Sequence, residues 1–275
     1  MERLRRAFWQ IVMALGAIIM IAPIVWMIST SLKPEGQVLS ATPRWIPETV
    51  TLENYAELLS RSAEFPVARW FFNSIFVSLS VTFLVLVVTS TAAFAFSRLH
   101  FKGRDALFLF VVATMMVPAQ VSLIPVFLIV QEFSWFNTYQ GLIVPGLANA
   151  FGVFLLRQFF IRIPVELEEA AVMDGANVYI IFWKVILPLA KPALATLAIF
   201  TFLASWNDFV WPLIVTNDVD MRTLPVGLTV FQGRFLTEYG ITMAAAAIAT
   251  IPVVIAFLFF QKRITEGIAL TGLKG

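Results

Sequence analysis

The sequence predicts an all-α polytopic membrane protein with six transmembrane helices and both the N- and C-termini cytoplasmic. Three observations carry that expectation. The 275 residues are 60% hydrophobic and only 13% charged, with a mean hydropathy of +0.87, too little charge to cover a soluble domain of this length. Charged residues leave apolar gaps of about 20 residues or more, the length that crosses a hydrocarbon core about 30 Å thick. Lys and Arg also fall unevenly on the two sides of the resulting spans.

In chain order the gaps are 7–32, 70–97, 106–130, 133–156, 192–217 and 239–261, the fifth interrupted only by Asp208. They place spans at about 9–32, 70–97, 106–130, 139–160, 192–215 and 240–261, in one transmembrane domain covering 1–275. The first gap starts like a signal peptide, but Pro23 and Trp26 stand where a small-residue cleavage site belongs, so it reads as a retained span. In the third, Pro118 and Pro125 interrupt the backbone ladder. The span runs slightly past Pro118 and continues as a bent outer segment, which membrane tolerates only where protein or a water-filled cavity satisfies the freed carbonyls. With the N-terminus inside, 13 Lys and Arg residues face the cytoplasm and 6 face outward. An even number of spans returns the C-terminus inside.

Two outer loops are sizeable, 33–69 and 217–238. The first contains Pro43, Trp45, Ile46, Pro47 and an amphipathic stretch at 52–59, and reads as folded. No segment between spans is long enough to bury a core of its own.

Several chemistries are excluded. With no Cys there is neither a disulfide nor a thiolate metal site. His100 is the only histidine and reads as a loop residue at the membrane surface. No metal-ligand cluster, Ser/His pair or paired-carboxylate catalytic site appears. No G-x-x-x-x-G-K-[ST] loop occurs, so the chain has no P-loop for ATP. A net charge of +2 offers nothing to nucleic acid.

The segment 157–191, RQFFIRIPVELEEAAVMDGANVYIIFWKVILPLAK, is the informative one. Pro164 suits a first helical turn, where its missing N–H costs nothing. Glu166, Glu168 and Glu169 complement the positive helix end. Ala170 and Ala171 leave a shallow surface for another protein. Asp174-Gly175 breaks the helix, with Gly175 free to take the left-handed conformation. A second short helix over 178–187 leads back to the membrane, and Pro188 and Pro192 mark the bend into span five. A generic loop on lipid headgroups is the alternative. Acidic residues clustered beside an anionic leaflet oppose it, and a docking element is the better fit.

Glu169-Ala170-Ala171, Asp174-Gly175-Ala176 and Val185-Ile186-Leu187-Pro188 resemble the EAA loop of permease subunits of binding-protein-dependent ABC importers. Supporting stretches run along nearly the whole chain. They include Asn54-Tyr55, Asn73-Ser74, Asn137-Thr138-Tyr139, Trp206-Asn207-Asp208, Thr223-Leu224-Pro225-Val226-Gly227-Leu228 and the terminal Gly272-Leu273-Lys274-Gly275. The likeness is to the MalG-like branch of carbohydrate permeases. It implies a type I ABC importer permease fold in a prokaryotic inner membrane, working with a second homologous permease, two ATPase subunits and an extracytoplasmic substrate-binding protein. ATP and Mg would reside in the ATPases, and this chain would be no enzyme and carry no cofactor. Loop 161–191 would be the coupling element, with Glu169, Ala170, Ala171, Asp174, Gly175, Ala176, Leu187 and Pro188 as docking residues. Lys274 and Gly275 would be secondary ATPase contacts.

Polar groups inside the membrane are functional candidates by default. Asn73, Gln120, Ser122, Asn149, Asn207 and Asp208 are candidates for the translocation pathway, since amides beside aromatics suit sugar hydroxyls. An interhelical hydrogen bond is the structural alternative for each. Asp208 lies about 24 Å along span five, so an interfacial, solvated carboxylate also fits. The expected cargo is a sugar or oligosaccharide, with glycerol-3-phosphate or another polyol as the alternative. An ion-coupled secondary transporter fits less well, because only Asp208 interrupts a span and no inverted repeat is visible.

Overall fold

Apolar runs of this length become helices because, in hydrocarbon, every backbone N–H and C=O has to be bonded within its own segment. The structure, a computed structural model, describes residues 2–39, 44–61, 65–231 and 238–272, with side chains to Phe259. Among the described residues there are helices and loops but no strand.

In chain order the main helices are α1 (Glu2–Ser31), α2 (Glu53–Ser60), α3 (Val67–Arg98), α4 (Arg104–Thr114), α5 (Ala119–Glu132), α6 (Tyr139–Ile143), α7 (Ala150–Phe160), α8 (Glu166–Met173), α9 (Lys191–Trp206), α10 (Val210–Val215) and α11 (Tyr239–Gly272). Three of them, α1, α3 and the Tyr239–Phe259 part of α11, are each long and apolar enough to cross a membrane. Three bent pairs bring the number of candidate spans to as many as 6.

The first compact unit comprises Met1–Phe71 and Thr223–Pro252. In it the most apolar window of α1 has 0% of its residues buried. The described part of the loop after α1 is held by specific hydrogen bonds. The Asn54 amide of α2 donates to the carbonyls of Ser31 and Lys33, both at 2.8 Å. The Glu35 carboxylate accepts from the N–H groups of Tyr239 and Gly240 at 3.1 and 2.9 Å, capping the start of α11. Trp70 is fully buried. A side chain at position 227 would place its Cβ 2.1 Å from the Trp70 ring, so only glycine fits there.

The second unit comprises Phe72–Arg222 and Val253–Gly275. Along α3, buried Ser74, Ser78 and Thr82, and further on Thr89 and Ala93, recur at spacings of four. That interval places each group on one helix face. Small residues on such a face let helices approach closely in a membrane. Gly152 of α7 uses that room: a Cβ there would lie 2.9 Å from Thr89 Cγ2. The Thr82 and Thr89 hydroxyls donate back to the Ser78 and Val85 carbonyls, both at 2.6 Å, and so enter the apolar layer satisfied.

Helices α4 and α5 meet at 100°. The expected interruption falls at Pro118, which occupies the N-cap of α5, whereas Pro125 lies inside α5 without ending it. The fifth expected span, 192–215, is in two pieces. Its first piece, α9, has 16 residues and is about 24 Å long, short of a full crossing. The chain leaves the helix at Asn207 and restarts as α10, where Asp208 Oδ1 accepts from the Trp211 N–H at 3.4 Å. An acidic side chain that caps a new helix explains the break better than a continuous span does.

Candidate functional site

The loop between α7 and α9 is built as the residue types dictate. Glu166, Glu168 and Glu169 occupy the first turn of α8. Its end is a Schellman motif: Gly175 has φ +83°, Ala176 N–H donates to Ala171 O at 2.9 Å, and Gly175 N–H donates to Val172 O at 2.9 Å. Asp174 sits at the C-cap. Asn177 Oδ1 then accepts from Ile180 N–H at 3.0 Å, opening the second helical stretch.

That stretch is not the simple helix over 178–187 that the sequence suggests. It is α-helical at Val178–Ile180, π-helical at Ile181–Ile186 and α-helical again at Leu187–Leu189. Pro188 explains the widening: it has no N–H for the Lys184 carbonyl, and its ring crowds that carbonyl in α geometry. The wider turn sends Ile181, Phe182 and Ile186 into a core with Ala93, Phe94, Leu156, Phe160, Ala190 and Leu197.

Helix α8 itself contains no fully buried residue. Glu168, Ala171 and, just past the helix, Ala176 are half-buried, while Glu169, Ala170, Val172, Met173, Asp174 and Gly175 are exposed. Met173 is 86% exposed. Of the other expected docking residues, Leu187 is half-buried and Pro188 is exposed. Lys274 and Gly275 lie outside the described residues.

Polar contacts tie α8 to the helix ends beneath it. Arg98, the last residue of α3, donates from Nη2 to Phe160 O at 2.8 Å and to Ile163 O at 2.6 Å. Its Nε lies 2.5 Å from Glu168 Oε1, and both side chains are 13% exposed. Burial pushes the Glu168 carboxyl above its ordinary range, and the Arg98 charge opposes that shift. Alongside, Arg157 Nε donates to Phe96 O at 3.2 Å, and its guanidinium stacks over the Phe108 ring at 3.9 Å.

A second feature is a cleft of about 450 Å³ whose lining includes Gln120, Ser122, Asn149, Thr201, Ser205, Asp208 and Trp211. Among the described residues, Asp208 is the one charged residue on its walls. Four of the expected pathway residues, Gln120, Ser122, Asn149 and Asp208, are therefore brought together. Two are placed elsewhere. Asn73 is 0% exposed. Its amide donates to Asp220 O and Arg222 O at 2.7 and 2.9 Å and accepts from Tyr139 Oη at 2.6 Å, so its hydrogen-bonding capacity is spent within the fold. Asn207 Nδ2 donates to Leu203 O at 2.8 Å, off the cleft. Asn149 does two things at once, lining the cleft while its Oδ1 caps α7 through Gly152 N–H at 2.7 Å.

Sequence reasoning missed Thr201, Ser205, Trp211 and the Arg98–Glu168 pair. Helical spacing held part of the signal, since Thr201 and Ser205 lie on one face of α9 at an interval of four.

Comparison with known proteins decides the family. Residues 86–269 match the family described as binding-protein-dependent transport system inner membrane component. The chain belongs to this family. It is 38% identical to the trehalose/maltose transport system permease protein MalG of Thermococcus litoralis, covering 100% of this chain and 99% of that one. It is 34% identical to the arabinooligosaccharides transport system permease protein AraQ of Halalkalibacterium halodurans, covering 94% and 93%. A solved structure of a bacterial ABC transporter involved in the import of the acidic polysaccharide alginate superposes with TM-score 0.84 at 26% identity, covering 95% of this chain and 96% of that one. The fold is thus that of an ABC importer permease, a multi-pass membrane protein and a transport component rather than an enzyme.

Proposed function

We propose that this chain is the permease subunit of an ATP-driven importer for a sugar or oligosaccharide, set in a prokaryotic inner membrane with both termini cytoplasmic. The cleft that Gln120, Asn149 and Asp208 line is its share of the translocation pathway. Loop 161–191 docks a separate ATPase through the outer face of α8, and ATP and Mg belong to that partner. The carrying observation is that face: Glu169, Ala170, Val172 and Met173 stand uncovered beside the Gly175 turn, on a loop whose second half is anchored in the core. An uncovered, partly apolar knob on a rigid mount is what a protein partner binds. Relatives named for trehalose/maltose and arabinooligosaccharides support a carbohydrate cargo. A cleft with several hydroxyl and amide groups and no Lys or Arg on its described walls favours a neutral sugar over glycerol-3-phosphate, whose phosphate calls for a cation. The uncovered face of α1 supports a second permease as its neighbour. An extracytoplasmic binding protein completes the assembly, in keeping with a family described as binding-protein-dependent.

Gly175 provides the test. A Cβ there meets nothing within 4 Å, so substitution costs backbone strain alone, about 1–2 kcal/mol for leaving the left-handed region to a branched residue. In the assembled transporter, Gly175→Val should sharply lower transport per ATP hydrolysed while membrane insertion is unchanged. Gly175→Asn, which tolerates positive φ, should stay near wild type. Normal transport by the Val variant with the ATPase bound would refute the docking role.

A further inference from the structure

Helix α8 sits on the loop with little apolar burial of its own, since no residue in it is fully buried. The loop's second half is different: Ile181, Phe182 and Ile186 lie in the core. What holds α8 on its inner side is half-buried Ala171 and the half-buried ion pair of Glu168 with Arg98. Arg98 reaches three places at once. It ends the 32-residue helix α3, satisfies two carbonyls at the end of α7, at Phe160 and Ile163, and pairs with Glu168 on α8. A planar guanidinium with several fixed donors can serve all three, whereas a single ammonium cannot hold the same geometry.

We propose that Arg98 is a positioning residue for energy coupling: through Glu168 it makes the docking helix move as one body with the ends of α3 and α7. A displacement imposed on α8 by a partner then reaches two membrane helices directly, without first deforming the loop. Coupling between sites requires such a contiguous element that both ends can bias. The inference rests on the proposed docking of an ATPase by this loop.

The test uses the complete reconstituted transporter and reads two quantities separately, co-purification of the ATPase and sugar transported per ATP hydrolysed. Arg98→Gln should retain the ATPase at wild-type stoichiometry yet lower transport per ATP by about tenfold, within the range that loss of one inter-site coupling gives. Arg98→Lys should restore part of it. Glu168→Gln is the mild arm. The carboxamide keeps an oxygen facing Arg98 but not the charge, so it should show a smaller loss of the same ratio. The chain has no cysteine, which permits a third arm. In Arg98→Cys/Glu168→Cys, a short bifunctional thiol reagent should raise transport per ATP back towards wild type, which a purely structural role would not produce. Unchanged ratios in the Gln variants, or a cysteine pair indifferent to cross-linking while the ATPase stays bound, would overturn the inference. Failure of the wild-type chain to retain an ATPase would instead overturn the docking reading beneath it.

Discussion

At the scale of single residues, a polar side chain inside a membrane protein is either spent on the fold or left for a ligand, and its hydrogen bonds say which. Asn73 has its amide fully used by two carbonyls and a tyrosine hydroxyl. Asn207 returns its amide to its own helix. Gln120 instead lies on the cleft wall. Residue type cannot distinguish these cases, because all three are amides in largely apolar stretches; the distinction comes from tertiary partners that no local pattern contains. A paired measurement follows. Gln120→Leu, close in volume but without the amide, should lower transport severalfold with ATPase binding unchanged, whereas Asn207→Leu should leave transport within about twofold of wild type, as exposed positions outside a site usually do. Equal loss in both, or in neither, would remove Gln120 from the pathway. Gly175 is the opposite case. Its left-handed turn was legible from Asp174-Gly175 alone, because a Schellman stop depends on the backbone of one residue rather than on distant neighbours.

At the scale of elements, charge gaps located helices well where a span is continuous. The gap 70–97 lies within α3, and the gap beginning at 239 starts where α11 starts. They located helices poorly where it is not. The break at 207–209 and the π-helical turn before Pro188 each carry one charged residue, Asp208 and Lys184, in otherwise largely apolar stretches, and hydropathy is blind to the backbone geometry there. The cap on α11 was equally hidden, since Glu35 is about two hundred positions away in sequence. Its N–H groups at Tyr239 and Gly240 would otherwise be orphaned at a helix start. Glu35→Ala should cost about 1 kcal/mol, the usual value of an N-terminal cap, read as a lower unfolding midpoint in detergent. Hydrogen exchange should speed up at the first turn of α11 and not at α8. An unchanged midpoint would mean that solvent or another group replaces the carboxylate at no cost.

At the scale of the whole molecule, the proposed orientation and the docking face make one joint prediction that the sequence renders simple to test. With no native cysteine, a single thiol reports on one place. Met173, at 86% exposure on the tip of α8, is a suitable place because nothing in the fold depends on its side chain. If the termini and loop 161–191 are cytoplasmic, Met173→Cys should resist an impermeant thiol reagent in intact cells and react readily in inverted vesicles stripped of the ATPase. Glu57→Cys, on α2 in the first outer loop, should show the reverse pattern. Adding the ATPase back should then slow Met173→Cys labelling by about tenfold or more, as burial of an exposed residue at the centre of a protein interface does, while leaving the rate at position 57 unchanged. Labelling from outside would invert the topology drawn from Lys and Arg counts. Labelling from inside without ATPase protection would keep the topology but move the docking surface off the outer face of α8. The two controls therefore separate where the loop lies from what covers it, a distinction that hydropathy and charge asymmetry cannot make by themselves.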